Sequence, residues 1–137
     1  MALRPFFVLQ IADSRARLSD MKAKIRMGRI EGRIEKLKAA LAGLGEMRPG
    51  SLREQYNVCG NPNCRCKDPR KPKKHGPYYQ LSYIHKGRST TQFIRREFFA
   101  ETRRQLLNYK RFRKLTDEWV TLALEHAKLK LEIGRGQ

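Results

Sequence analysis

Apolar residues recur at helical spacing in two stretches of the chain. Ile30, Ile34, Leu37, Leu41 and Leu44 step by four and three, the heptad-like period of a helix face that buries itself against a partner helix. Leu18, Met21 and Ile25 extend this stripe loosely backward. The pattern predicts an amphipathic helix over residues 14–47, with Asp13, Ser14 and Ser19 as candidate N-caps. Gly28 and Gly32 weaken its middle, by about 1 kcal/mol each relative to alanine. Pro49, in "MRPG", is expected to stop it. The second stripe is Phe112, Leu115, Trp119, Leu122, His126, Leu129 and Ile133, with Lys110, Arg111, Arg113 and Lys114 between the apolar positions. It predicts a helix over residues 96–137 in which His126 is a tolerated polar member of the seam. Neither helix can bury its stripe alone. They are expected to pair antiparallel with each other, or with the same helices of a second copy.

Between the stripes, over residues 48–95, the helical period disappears. "YYQLSYI" (78–84) and "TTQFI" (90–94) are rich in aromatic and β-branched residues, and "HKGRS" (85–89) separates them with a turn. They predict a β-hairpin. Two strands alone are marginally stable and need something to pack on. At the other end, "FFVLQIA" (6–12) is too short for a membrane span and lacks a convincing secretory cleavage pattern. Residues 1–13 therefore read as an apolar arm or strand. The fold class is α+β, mostly α: two long helices in a coiled-coil-like hairpin around a small, zinc-stabilised β-hairpin head.

The zinc expectation comes from the cysteines. Cys59, Cys64 and Cys66 form C-x4-C-x-C, and His75 follows nine residues later. Three thiolates and an imidazole complete a tetrahedral shell for one structural zinc ion per chain. Gly60, Asn61, Pro62 and Asn63 allow the chain to fold back between Cys59 and Cys64. Ligands two residues apart point to opposite sides of an extended chain, so Arg65 must lie in a turn. His75 is the first choice as fourth ligand, His85 the second and Asp68 the third. The competing account is three thiols packed in a small core, or a Cys59–Cys64 disulfide. An odd number of cysteines argues against a purely internal disulfide framework and for a reducing, cytoplasmic setting.

The segment from residue 49 into the second helix resembles a prokaryotic family of short basic proteins built on a domain of unknown function. The residues that carry the resemblance are "GSL" (50–52), "CGNPNCRC" (59–66), "HGPYY" (75–79), "LSY" (81–83) and the "KG" turn (86–87). The N-terminal helix lies outside it. The resemblance implies a setting in mobile-element and phage-like systems and no established activity.

Charge then narrows the partner. Lys and Arg number 31 against 13 Asp and Glu, a formal net charge of +18. A polyanion is the natural counterpart of such an excess. Arg65, Lys67, Arg70, Lys71, Lys73 and Lys74 crowd the cysteine-to-histidine segment, opposed only by Asp68. Lys86 and Arg88 sit at the expected hairpin turn, Arg95 and Arg96 at its exit, and Arg103 and Arg104 at the start of the second helix. These cations are expected to share one phosphate-contacting face. Strand alternation puts Tyr79 and Tyr83 on one face and Tyr78 on the other, and Tyr79 is taken as the ring that stacks on a base. Catalysis is not expected, because His75, His85 and His126 are scattered and no carboxylate is positioned with them. The expectation is a non-enzymatic DNA- or RNA-binding protein, an accessory subunit working with a larger protein or a second copy of itself, with no membrane partner. The alternative is an adaptor whose coiled coil binds a protein and whose basic face meets an acidic one.

Overall fold

The computed structural model describes residues 6–135, with side chains in the first helix described from residue 14. The order is helix α1 (Phe6–Ala42), strand β1 (Ser51–Asn57), a 3-10 turn (Arg65–Lys67), strands β2 (His75–His85) and β3 (Arg88–Ile94), a second 3-10 turn (Arg96–Phe98) and helix α2 (Phe99–Arg135). The architecture is α+β. No helix of the described residues is long and apolar enough to cross a membrane. The chain divides into two compact units, one holding the chain up to Gly43 and from Arg113 onward, the other Leu44–Phe112.

In the first unit, cross-helix pairs reveal the direction of the two helices. Arg26 meets Glu125 at 2.5 Å, Arg33 meets Glu118 at 2.6 Å, and a His126 ring nitrogen lies 2.8 Å from a Glu31 carboxylate oxygen. Lys38 Nζ sits 5.6 Å from the centre of the Trp119 ring. Positions 26 and 31 of α1 meet 125 and 126 of α2, and positions 33 and 38 meet 118 and 119, so the helices run antiparallel here. Such exposed ion pairs add at most about 1 kcal/mol each; their contribution is register. The apolar seam supplies the burial, with Ile30 5 %, Leu37 2 % and Leu129 8 % exposed. Every predicted seam residue of α2 is buried or half-buried.

The early part of α1 departs from the sequence pattern. Leu18, Met21 and Ile25 are exposed. The half-buried positions leading back from Ile30 are Met27, Ala23 and Asp20, at steps of three, four and three. The seam follows helical geometry rather than side-chain size, so the bulkier residues fall on a neighbouring stripe. The helix also begins earlier than the pattern predicts. Residues 6–13 are helical, so Ser14 and Ser19 are interior and cap nothing, while residues 1–5 of the expected arm lie outside the described residues. Pro49 does not end α1; the helix stops at Ala42, where the Gly43 N–H donates to the Ala39 carbonyl at 3.1 Å. Of the expected second helix, residues 136–137 lie outside the described residues.

The second unit is built on an antiparallel sheet of three strands in the order β1-β2-β3. The predicted hairpin is β2–β3, turning through Lys86 and Gly87, both at positive φ (49° and 74°). That is the backbone of a two-residue turn whose twist matches the strands. Strand β1 is additional to the pattern. Leu52 pairs with Leu81 and Gln55 with Tyr78, and the register shifts between Gln55 and Asn57. Gly50 (φ 125°) allows the chain into β1, since a Cβ there would lie 2.6 Å from the Ser82 carbonyl oxygen.

The two sheet faces differ. Leu81, fully buried, shares a face with Tyr79 and Tyr83. Tyr79 packs on Phe99 at the start of α2, with ring centres 4.2 Å apart, and Thr102 and Leu106 in the same helix are buried. The approach to β1 is tied to α2 as well. Arg48 N–H donates to the Gln105 carbonyl at 3.3 Å, Gln105 Nε2 to the Glu46 carboxylate at 3.0 Å, and Asn108 Nδ2 to the Glu46 carbonyl at 2.9 Å.

Candidate metal centre and basic loop

The chain leaves β1 at Asn57 and re-enters the sheet at His75, and these two residues pair across the strands. The sheet thereby fixes both ends of the intervening segment. Cys59 follows β1 by two residues, and His75 opens β2. Between them Cys64 N–H donates to the Asn61 carbonyl at 3.3 Å and Lys67 N–H to the Cys64 carbonyl at 3.0 Å. The second bond closes the 3-10 turn at Arg65–Lys67, which rotates Cys66 back to the side of Cys64. Sequence reasoning requires that turn, and it is present.

The donor atoms of Cys59, Cys64, Cys66 and His75 all lie within 4.8 Å of one another. Cys59 Sγ and Cys66 Sγ are 3.6 Å apart, and Cys64 Sγ is 3.2 Å from His75 Nε2. Zinc–ligand bonds of about 2.0 to 2.3 Å at tetrahedral angles require sulfur–sulfur separations near 3.8 Å and sulfur–nitrogen separations near 3.5 Å. The donor set is compatible in chemistry with a tetrahedral zinc ion, and these two separations lie close to the required ones. Backbone N–H groups turn toward the sulfurs too, Cys59 N–H donating to Cys66 Sγ at 3.4 Å. The Cys59 thiol is held below its ordinary value by the Asn61 N–H, then by His75 and Cys66; that of Cys64 is lowered by the Cys66 N–H. Burial pushes the Cys66 thiol up.

The other two candidate ligands are elsewhere. His85 ends β2 at the far end from His75 and pairs with Arg88. Asp68 is turned to the backbone, its carboxylate accepting the N–H of Arg70 at 2.8 Å and of Lys71 at 3.2 Å. With Lys73 N–H donating to the Arg65 carbonyl at 3.0 Å, Asp68 folds the basic segment into an ordered loop. Arg65, Lys67, Arg70, Lys71, Lys73 and Lys74 are all exposed on it. Lys67 Nζ reaches the Gly60 carbonyl at 3.4 Å. None of these six cations forms a salt bridge among the described residues, whereas Lys24, Arg26, Arg33 and Lys38 in α1 all do.

The predicted basic residues fall into separate clusters along the sheet. Lys86 lies in the β2–β3 turn and Arg88 opens β3, and β2 runs from His75 to His85. At about 3.3 Å per residue the turn is roughly 30 Å from the loop. Arg95 and Arg96 follow Ile94, which pairs with Tyr79 near the loop end of β2. Arg95 approaches Glu97 at 3.7 Å. Arg103 and Arg104 are exposed in the first turns of α2. Tyr79, the expected stacking ring, is engaged with Phe99. The exposed rings include Tyr56 (52 %), Tyr78 (44 %), Phe93 (68 %) and Phe98 (49 %), and strand alternation together with the register of β3 sets Tyr78 and Phe93 on the sheet face opposite Leu81.

The chain belongs to the family described as Domain of unknown function (DUF6788), which matches residues 27–104. The match takes in the metal-site motif and the whole sheet. It also begins inside α1, so the family domain includes part of the N-terminal helix that the motif resemblance leaves out. No curated protein and no solved structure matches the chain.

Proposed function

Taking this family domain as the premise, we propose that the chain is a non-enzymatic nucleic-acid-binding protein whose Cys59, Cys64, Cys66 and His75 hold a structural zinc ion. The ion would fix the base of the basic loop and stabilise a sheet with little core of its own. The observation that carries the reading is the crowding of six unpaired cations on one short loop. Arg65, Lys67, Arg70, Lys71, Lys73 and Lys74 are exposed on a backbone that Asp68 holds in place and have no salt-bridge partner among the described residues, whereas four cations of α1, Lys24, Arg26, Arg33 and Lys38, do. Unneutralised cations on a fixed loop gain most from phosphates, through counterion release. In this reading α1 and α2 form a coiled-coil-like hairpin, supported by the buried Ile30, Leu37 and Leu129. The protein would act in the cytoplasm as an accessory subunit of a mobile-element or other nucleoprotein complex.

A second reading, a protein adaptor, is favoured by Val120, Leu124 and Leu131. All three are more than half exposed, at 60 %, 68 % and 64 %, and share one side of α2. Salt separates the two readings. Replacing Arg70, Lys71, Lys73 and Lys74 by alanine should weaken nucleic-acid binding and make its salt dependence shallower, by about 0.7 to 0.9 in slope for each phosphate no longer neutralised. Metal content should be unchanged. No binding by the parent protein at low salt overturns the nucleic-acid reading and favours the adaptor.

A further inference from the structure

The sheet has one face turned to the aromatic rings and buried residues of its own unit and one face left open. On the open face the register sets Arg53, Gln80 and Phe93 in a row across the three strands. The next row holds Gln55 and Tyr78. Tyr78 and Phe93 are therefore diagonal neighbours, a relationship that separates Cα atoms by roughly 7–8 Å. The amides of Gln55 and Gln80 hydrogen-bond to each other, and Ser82 bonds to Thr91 at 3.1 Å in the row beyond. Two exposed rings are thus interleaved with fixed amides and hydroxyls, with an arginine on the β1 edge.

Charge decides what such a face accepts. The strand positions on it carry no carboxylate: Glu54, the only acid of the three strands, pairs with Tyr79 and belongs to the opposite face. Arg95 continues β3 at the loop end of the sheet, and the chain as a whole carries +18. A hydrophobic protein partner would meet polar amides between the rings. A duplex would present stacked bases to which the rings have no access. Unpaired bases satisfy every group, because their flat faces stack on aromatic rings and their edges hydrogen-bond to amides.

We propose that the open face of the sheet is a stacking platform for single-stranded nucleic acid, with Tyr78 and Phe93 as the base-contacting rings. The proposal rests on the nucleic-acid reading above and adds the strand state and the residues that sense it. Its phosphates would be met by Arg53 and Arg95 on the sheet and by the cations of the adjoining loop.

The test is fluorescence anisotropy with labelled single-stranded oligothymidylate, the matching oligouridylate and a duplex of equal length, each over a salt series. The parent should bind a single strand more tightly than the duplex. The double variant Tyr78→Ala/Phe93→Ala should lose tenfold or more on the single strand, as stacking on each ring contributes about 1–3 kcal/mol, with salt slope, zinc content and circular dichroism unchanged. The preferred single strand, DNA or RNA, identifies the natural source. If the variant binds single strands as the parent does, the platform is overturned and the loop reading stands. If the parent binds neither single strand nor duplex at low salt, both are overturned. If the substitutions instead convert a dimeric parent to monomers in sedimentation with oligonucleotide affinity unaltered, the face is a self-association surface and the platform is overturned.

Discussion

The Nε2 of His75 lies 3.2 Å from the Sγ of Cys64, so the first residue of β2 and the residue that opens the 3-10 turn converge on one point. Purified protein should contain one zinc ion per chain, released as the thiols are modified. Cys64→Ser and His75→Ala should each reduce the zinc measured by mass spectrometry, the cysteine change more severely. Acidification should release the ion, because protons compete for every donor. The lowered thiols of Cys59 and Cys64 favour retention as the pH falls, while the raised thiol of Cys66 opposes it. Freshly reduced protein without metal would refute the site.

Leu37 and Met21 are both apolar residues of α1, yet one is 2 % exposed and the other 52 %. Leu37→Ala should cost about 2–5 kcal/mol, while Met21→Ala should stay within about 0.5 kcal/mol. Thermal melts followed by circular dichroism would separate them. Equal melting temperatures would contradict the seam.

Two pairs of glycines predict opposite signs. Nothing lies within 4 Å of a Cβ added at Gly28 or Gly32, so alanine at each should stabilise α1 by up to about 1 kcal/mol. At Gly50 or Gly76, φ is 125° or 140° and an added Cβ would meet a carbonyl oxygen at 2.6 or 2.7 Å. Alanine there should destabilise by more than about 1 kcal/mol. Chemical denaturation reads both.

Tyr79→Ala should lower the melting temperature, with a cost of about 1–3 kcal/mol, because it removes the ring against Phe99. Tyr79→Phe should be nearly neutral, since the contact is ring to ring. A Tyr79→Ala variant that melts like the parent but binds oligonucleotides more weakly would return the stacking role to Tyr79.

These outcomes trace how far the sequence is legible. The α2 seam is readable because large apolar residues, Phe112, Leu115, Trp119, Leu122, Leu129 and Ile133, recur at helical spacing among its buried and half-buried positions. The start of α1 is not, because small Ala23 and charged Asp20 occupy half-buried positions there while larger residues face outward. Strand β1 is hidden for a related reason. In "SLREQYN" the half-buried residues are Leu52 and Gln55, three apart rather than two, because they lie on opposite faces of the sheet, Leu52 beside Leu81 and Gln55 beside Tyr78. The four metal donors are legible from chemistry alone, and the turn that aligns Cys64 with Cys66 follows from requiring them to converge. The division of the cations into loop and turn clusters depends on the length of β2, which the apolar run at 78–84 understates.

The pairing of Asn57 with His75 gives the basic loop a kind of independence. With Cys59 and His75 clasped at its base, the segment between Cys66 and His75 is a closed excursion whose ends are fixed without its help. Lengthening such an excursion costs little, about 0.6 kcal/mol for each doubling of a flexible loop. Its charge and reach can therefore drift among relatives, or be rewritten by design, while the sheet and the clasp stay as they are. Exchanging the proline-spaced run 67–74 would change the loop's charge and reach while leaving the strands of the sheet in place.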